Sequence, residues 1–413
     1  MGLRSGRYWS LIRTADWFDG ERARAYGLIL AVVSALVAAA YLGLSSGRLD
    51  PMGKALGTDF ASFWTASQLA LAGPAPTPWD VGAHRAAQAA MFGEGAGYAA
   101  FFYPPPYLLI CLPLALAPYP VSLALWLAAT GAAWVAVVRR WLGPGPGWLP
   151  ILAFPAVLVN TGHGQNGFLT AALFGAAALT SQRRPWLSGA LFGALVFKPH
   201  LALLVPLFLM VSGNWRAFIS AGATSAGLCL ASLIAFGPEA WRGFFETAAL
   251  ARAALEHDLV GYARMQSAYA GARLLGADGG LAWAVHGLAV AAAVAAVWMT
   301  RRASEPARGA TLAAATLIAT PFLLDYDLTL LAVPLAWLFR EALRGGFRPW
   351  EKLALVAAFV APLAARPLAL GAGVPGTPLI VLALLILVVR RATAAEPGPA
   401  VAPAAATLSM ARP

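Results

Sequence analysis

The sequence predicts an all-α membrane protein, a polytopic helical bundle of about twelve transmembrane helices with interfacial helices in a large first outer loop. Three observations predict it. Of the 413 residues, 60% are hydrophobic and only 11% charged, with a mean hydropathy of +0.69, whereas soluble chains carry roughly 25% charged residues. Apolar runs recur along nearly the whole chain, separated by short arginine clusters. The net charge of +11 has no soluble basic domain to carry it. It therefore argues against a nucleic-acid partner and reads as membrane-orienting charge.

Residues 1–25 are polar and hold Tyr8, Trp9, Trp17 and Phe18, which suits a cytoplasmic segment with an interfacial helix rather than a signal peptide. The polytopic domain covers 26–390, with candidate spans at 26–44, 120–138, 148–160, 166–180, 186–197, 200–212, 217–236, 282–299, 309–322, 327–339, 352–365 and 374–389. The run 100–138 is uncharged for 39 residues, enough for two crossings, but it opens with Tyr103-Pro104-Pro105-Pro106 and is broken again at Pro113, Pro118 and Pro120. Charge decides between one crossing and two. With one, 20 of the 29 Lys and Arg fall on a single side; with two, the five N-terminal arginines land opposite the rest. Positive-inside bias favours the single crossing and makes 104–118 an interfacial or re-entrant segment.

This topology places both termini in the cytoplasm and two long loops, 45–119 and 237–281, on the outer face of a plasma (inner) membrane. The Ala/Pro-rich tail 391–413 lacks an apolar face and reads as disordered. Cys111 and Cys229 sit inside apolar runs as small core residues, with neither disulfide nor metal spacing. No internal repeat stands out, which disfavours repeat-built transporters.

Polar groups among apolar runs are costly, so each needs a reason. Asp59, in Gly57-Thr58-Asp59-Phe60, precedes an aromatic helix; it is either that helix's N-cap or a carboxylate held at the membrane surface to act as a base, and the two are compatible. Lys198, in Phe197-Lys198-Pro199-His200, lies between two short apolar runs; it either snorkels to the headgroups or, with His200, holds a phosphate. The turn Asn160-Thr161-Gly162-His163-Gly164-Gln165-Asn166-Gly167 is a plain tight turn or a ligand-binding one, with His163 and Gln165 as donors. Asp325 and Asp327 flank Tyr326 at an outer helix boundary, one as a cap and the other toward a sugar hydroxyl. In the loop 237–281, Glu256, His257, Asp258 and Arg264 are solvated residues or reach the same site. The histidines are scattered, no metal pattern appears, and there is no Gly-rich phosphate loop. A donor used at the outer face must then carry its own activation, as a lipid-phosphate sugar does.

Four motifs, Gly57-Thr58-Asp59-Phe60, Phe102-Tyr103-Pro104-Pro105, the Gly162–Gly167 turn and Gly189-x-x-x-Gly193-x-x-x-x-Lys198-Pro199, resemble in order and spacing glycosyltransferase family 87 of the GT-C superfamily, over about residues 50–340. The resemblance implies an all-helical GT-C fold and a polyprenyl monophosphate hexose donor, typically mannose. It also implies transfer without metal or cofactor to a lipid or glycan acceptor at the outer face. By that likeness Asp59 is the catalytic base and Lys198 belongs to the donor phosphate site. Relatives often carry a His after a Ser/Thr-Pro pair in a late helix; here Thr320-Pro321 leads to Asp325-Tyr326-Asp327 without one. An equivalent imidazole must come from His200 or His163.

The expected mechanism is one-step inverting transfer, with Asp59 as base, Lys198, His200 and Arg264 on the donor phosphate, and Tyr103, His163, Gln165, Asn166, Asp325 and Asp327 toward sugar or acceptor. A lipid-linked sugar transporter or flippase is the alternative, and predicts polar residues continuing through the membrane midplane. A scaffold of envelope synthesis predicts that substitutions at Asp59 and Lys198 are tolerated.

Overall fold

The structure is a computed structural model, and it describes residues 9–394. Expectations for residues 1–8 and for the tail beyond 394 lie outside the described residues. Among the described residues the chain is helical, with three isolated β-bridges and no strand. We number the helices α1 (Gly20–Gly43), α2 (Phe60–Ala72), α3 (Val81–Phe92), α4 (Pro105–Cys111), α5 (Tyr119–Leu142), α6 (Pro155–His163), α7 (Gly167–Thr180), α8 (Pro185–Gly193) and α9 (Val205–Val211). They continue as α10 (Trp215–Glu256), α11 (Ala268–Leu274), α12 (Gly279–Met299), α13 (Glu305–Ala319), α14 (Ala332–Gly345), α15 (Glu351–Ala372) and α16 (Gly376–Thr393).

Six of these, α1, α5, α10, α12, α15 and α16, are long and apolar enough to cross a membrane. Shorter apolar stretches cover Pro105–Leu116, Gly167–Thr180, Pro185–Phe197 and Pro199–Val211. The count of twelve spans thus resolves into six helices of spanning length and a set of shorter ones. Proline explains much of the shortening, because it removes a backbone donor and pushes the residue before it out of the helical region. The run 148–160 is split before Pro155, where Phe154 is extended. The run after Pro185 tightens to a 3-10 turn at Ala194–Phe197 and stops at Lys198-Pro199. In α10, Gly237 adopts a φ of +75° beside Pro238 and kinks the helix.

Packing runs on small residues. Every residue of α13 from Ala307 to Ala319 is buried. On α8, Gly189 and Gly193 lie one turn apart on the face toward α10, where a Cβ would collide with the carbonyl oxygens of Ala217 and Ala221. The Gly-x-x-x-Gly of the sequence motif is a backbone-to-backbone packing seam.

Polar groups segregate to opposite ends of the helices. At one end Arg391 pairs with Glu351 at 2.5 Å, the Arg348 amide donates to the same carboxylate, the Trp350 amide donates to the Arg13 carbonyl, and Lys352 reaches the Ala15 carbonyl. Glu305 holds Ser181 and Gln182 beside the Arg183–Arg184 turn, and Asn214, before Arg216, donates to the Ser181 carbonyl. At the other end Tyr119, at the start of α5, donates to the Leu56 carbonyl next to Asp59. From there α5 runs 24 residues, with Arg139 and Arg140 in its last turn, a length of about 36 Å at a rise of about 1.5 Å per residue. Pro105–Leu116 is 12 residues long, about 18 Å, short of a hydrocarbon core of about 30 Å. It packs on α2, where Ser67 donates to the Cys111 carbonyl and Gln68 to that of Ala115.

Candidate active site

The site is built from four chain breaks that meet at the arginine-poor end. The first is the start of α2. Asp59 occupies the N-cap position, yet its carboxylate makes no cap hydrogen bond. Instead it accepts from the Gln165 Nε2 at 3.2 Å, while its own amide donates to the His163 carbonyl at 3.0 Å. Capping is therefore not what the side chain does.

The second is the turn from α6 to α7. Gly164 takes a left-handed φ of +61° with no room for a side chain, since a Cβ there would come 2.6 Å from the Phe60 Cβ. Asn160 closes the turn: its Oδ1 accepts from the Gly167 amide and its Nδ2 donates to the Gln165 carbonyl. This orients Gln165, whose Oε1 accepts from the Tyr103 hydroxyl at 3.1 Å and from the Asn166 amide at 2.7 Å. His163, the last residue of α6, is held by the Thr58 hydroxyl at 2.9 Å on Nδ1.

Lys198 and its surroundings form the third break. The lysine is 3% exposed; its ammonium donates to Asn166 Oδ1 at 3.0 Å and Asp327 Oδ1 at 2.5 Å, and lies 5.1 Å from the centre of the Tyr326 ring. Snorkelling is excluded by this burial. Its anionic partner is a protein carboxylate. His200 follows at the next turn, with its carbonyl accepting from Thr320 and its Nε2 buried without a hydrogen-bond partner among the described residues.

The fourth is the turn after Thr320-Pro321. Asp327 Oδ2 accepts from the Leu324 amide at 3.2 Å and so caps the turn while holding Lys198. Asp325 takes the other role: its Oδ1 lies 3.9 Å from His163 Nε2 and its Oδ2 3.6 Å from a guanidinium nitrogen of Arg366. The imidazole missing from this turn in sequence is present beside it in space. Arg264 is exposed at the border, tied to the turn by the Met265–Leu324 bridge and a Gln266 amide bond to the Leu323 carbonyl. Among the described residues no contact links its side chain to the network.

Below the carboxylate lies an aromatic wall. Tyr103 and Tyr107 are 4.3 Å apart, Phe63 meets both edge-on, and Tyr107 stacks on Phe197 next to Lys198. Burial raises the Asp59 carboxyl above its ordinary value, while His163 and the Gln165 amide pull it back down and Asp325 raises it further. Burial also raises the Tyr103 phenol, which keeps it a donor to Gln165. An apolar groove of about 660 Å³ between α1 and the bundle, lined by Trp134, Phe154, Leu149 and Phe359, shares no residue with this network. Its walls are mostly apolar, and the charged residues that border it, Asp19, Arg24 and Lys352, belong to the opposite end from Asp59.

Eight of the residues singled out from sequence, Asp59, Tyr103, His163, Gln165, Asn166, Lys198, Asp325 and Asp327, thus form one connected set. His200 adjoins it and Arg264 borders it. Sequence reasoning missed Thr58, Tyr326 and Arg366. Arg366 carried a signal, as the one charged residue between Lys352 and Arg390.

Fold and site together define a multi-pass helical membrane protein that gathers an uncapped carboxylate, an imidazole and cations at one end of its bundle. The family model of glycosyltransferase family 87 matches residues 101–334, more than half of the chain. The chain belongs to glycosyltransferase family 87, and is a membrane glycosyltransferase. No curated protein and no solved structure matches it. The matched segment carries all of the connected set except Asp59, and ends before Arg366.

Proposed function

We propose that the protein transfers a hexose, mannose by family likeness, from a polyprenyl monophosphate donor to a lipid or glycan acceptor, with inversion at the anomeric carbon. Asp59 takes the proton of the acceptor hydroxyl as that oxygen bonds to the anomeric carbon. The bond from that carbon to the phosphate oxygen breaks, and its electron pair leaves with the polyprenyl phosphate. Asp59 then releases its proton to solvent. The observation that carries this reading is the Asp59 carboxylate itself: it leaves the helix end uncapped, is aimed by Gln165, and stands beside His163 and Asp325.

Lys198 supplies a positive charge beneath the site and positions Asn166 and Asp327; contact with the donor phosphate would require its pair with Asp327 to open. His200, Arg264, Tyr103 and Asp325 complete the proposed surroundings of donor and sugar. With the arginine-rich end in the cytoplasm of a plasma membrane, the network faces the exterior or periplasm. A lipid-linked sugar transporter is supported less, because the ionisable network lies at one end of the helices.

Membranes containing the protein, given radiolabelled polyprenyl-phosphate mannose, are expected to form a labelled lipid or glycan. Asp59→Asn is expected to lower that rate by about 10²–10⁴-fold while donor binding persists. Turnover near wild type in Asp59→Asn overturns the base assignment.

A further inference from the structure

Three cationic side chains stand near the network, and their exposure separates them. Lys198 is 3% exposed and compensated by Asp327 at 2.5 Å. Arg264 is exposed but lacks a described contact with the set. Arg366 lies between: its side chain is 33% exposed, and one nitrogen sits 3.6 Å from Asp325 Oδ2. That separation is an ion-pair distance beyond a charge-assisted hydrogen bond of about 2.7–2.9 Å, so the guanidinium keeps its donors.

The helix beneath explains its reach. The buried stripe of α15 contains Ala358, Ala361, Pro362, Ala365 and Ala369, small residues that bring the backbone close to the Asp325 turn. Arg366 is the neighbour of Ala365 on the edge of that stripe, one to two turns before the helix ends at Ala372. Asp325 bridges His163 on one oxygen and Arg366 on the other, and Asp59 is joined to His163 by its amide. The contacts thus run from Asp59 through His163 and Asp325 to the Arg366 guanidinium.

We propose that Arg366, which lies outside the family-matched segment, binds the phosphate of the lipid-linked donor, exchanging its loose contact with Asp325 for the phosphate oxygens. This rests on the donor reading given above. The planar fork of arginine matches a phosphate with two parallel donors. The donor phosphodiester carries one negative charge and the departing phosphate gains a further one as the anomeric bond breaks. Arg366 thus holds the transition state more tightly than the ground state.

The test uses the full chain in membranes, with wild type, Arg366→Gln, Arg366→Lys and Asp325→Asn. Each is assayed for transfer from polyprenyl-phosphate mannose and for inhibition by polyprenyl phosphate without sugar. Arg366→Gln is expected to raise the donor KM and weaken that inhibition, each by about tenfold, and to lower kcat, with the acceptor KM unchanged. Arg366→Lys recovers part of the loss, and Asp325→Asn, which frees the guanidinium, strengthens inhibition. Unchanged donor KM and inhibition in Arg366→Gln, even with a lowered kcat, reduce Arg366 to a strut for Asp325 and overturn the inference. Should Arg366→Gln fail to accumulate, unchanged or weakened inhibition in Asp325→Asn overturns it instead. A wild type that transfers nothing from this donor sinks the functional reading itself, a result separable from failure of the variant.

Discussion

Lys198 and Asp327 face each other at 2.5 Å with side-chain exposures of 3% and 2%, and Asn166 holds the same ammonium at 3.0 Å. A buried ammonium needs a partner, and here a capping carboxylate from a turn 129 residues away in sequence provides it. The pair thus joins the Lys198-Pro199 break to the turn after Pro321, and its first role is to hold two chain breaks together.

Removing one partner strands the other. Lys198→Met is expected to destabilise the protein by about 3–5 kcal/mol, read as a lowered thermal midpoint in detergent. Lys198→Met combined with Asp327→Leu is expected to recover part of that loss. Equal midpoints for wild type and Lys198→Met would contradict the pair.

Under the proposed mechanism the pH dependence of transfer reports on Asp59. Its carboxyl is raised by burial, and the base must be ionised, so the rate falls as pH drops through a value above the ordinary carboxyl pKa of about 4. Gln165→Leu deletes a hydrogen bond to the ionised form and moves this acidic limb to higher pH. A limb that stays in place, or shifts downward, dissociates Gln165 from the carboxylate.

The glycine seam separates packing from chemistry. Gly189→Ala places a Cβ against the Ala217 carbonyl oxygen and is expected to cost about 1–3 kcal/mol. Gly162→Ala, on the helical part of α6 with nothing within 4 Å of the added carbon, is expected to be neutral or slightly stabilising. Thermal midpoints of the two variants check this; the same midpoint in both would refute the seam.

His84, in α3 outside the spanning helices, is fully buried, with Nε2 at 3.2 Å from the Ser62 carbonyl and Nδ1 at 3.4 Å from Gln88. Burial depresses it from 6.5 to about 4. The unfolded chain then binds the proton first as pH falls, so stability is lost between about 6.5 and about 4, on the order of 3 kcal/mol. His84→Gln removes that titration. Parallel stability curves for wild type and variant over this interval would be the contrary result.

Much of the site was legible in the sequence because each member is a polar residue among apolar ones, where it needs a reason. Asp59, His163, Gln165, Lys198 and the Asp325–Asp327 turn stood out on that ground, and the structure brings them together. Their individual duties were less legible. Asp59 and Asp327 both sit beside helix starts, yet only Asp327 makes a cap bond. Lys198 and Arg366 are both cations near helix ends, yet one is closed inside the bundle and the other open at its rim. Thr58 and Tyr326 are ordinary residue types whose partners, His163 and Lys198, are set by packing.

The sequence by itself determined that this chain is built for a membrane and that most of its arginines cluster apart from Asp59, Lys198 and the Asp325–Asp327 turn. Both follow from local sums of transfer free energy, which read directly from composition along the chain. Only the tertiary structure decided how many helices reach spanning length and which group holds which. Gln165 meets Asp59 across 106 residues and Lys198 meets Asp327 across 129. No periodicity records such a meeting. It depends on where proline and glycine stop each helix and on how closely small residues let the helices approach.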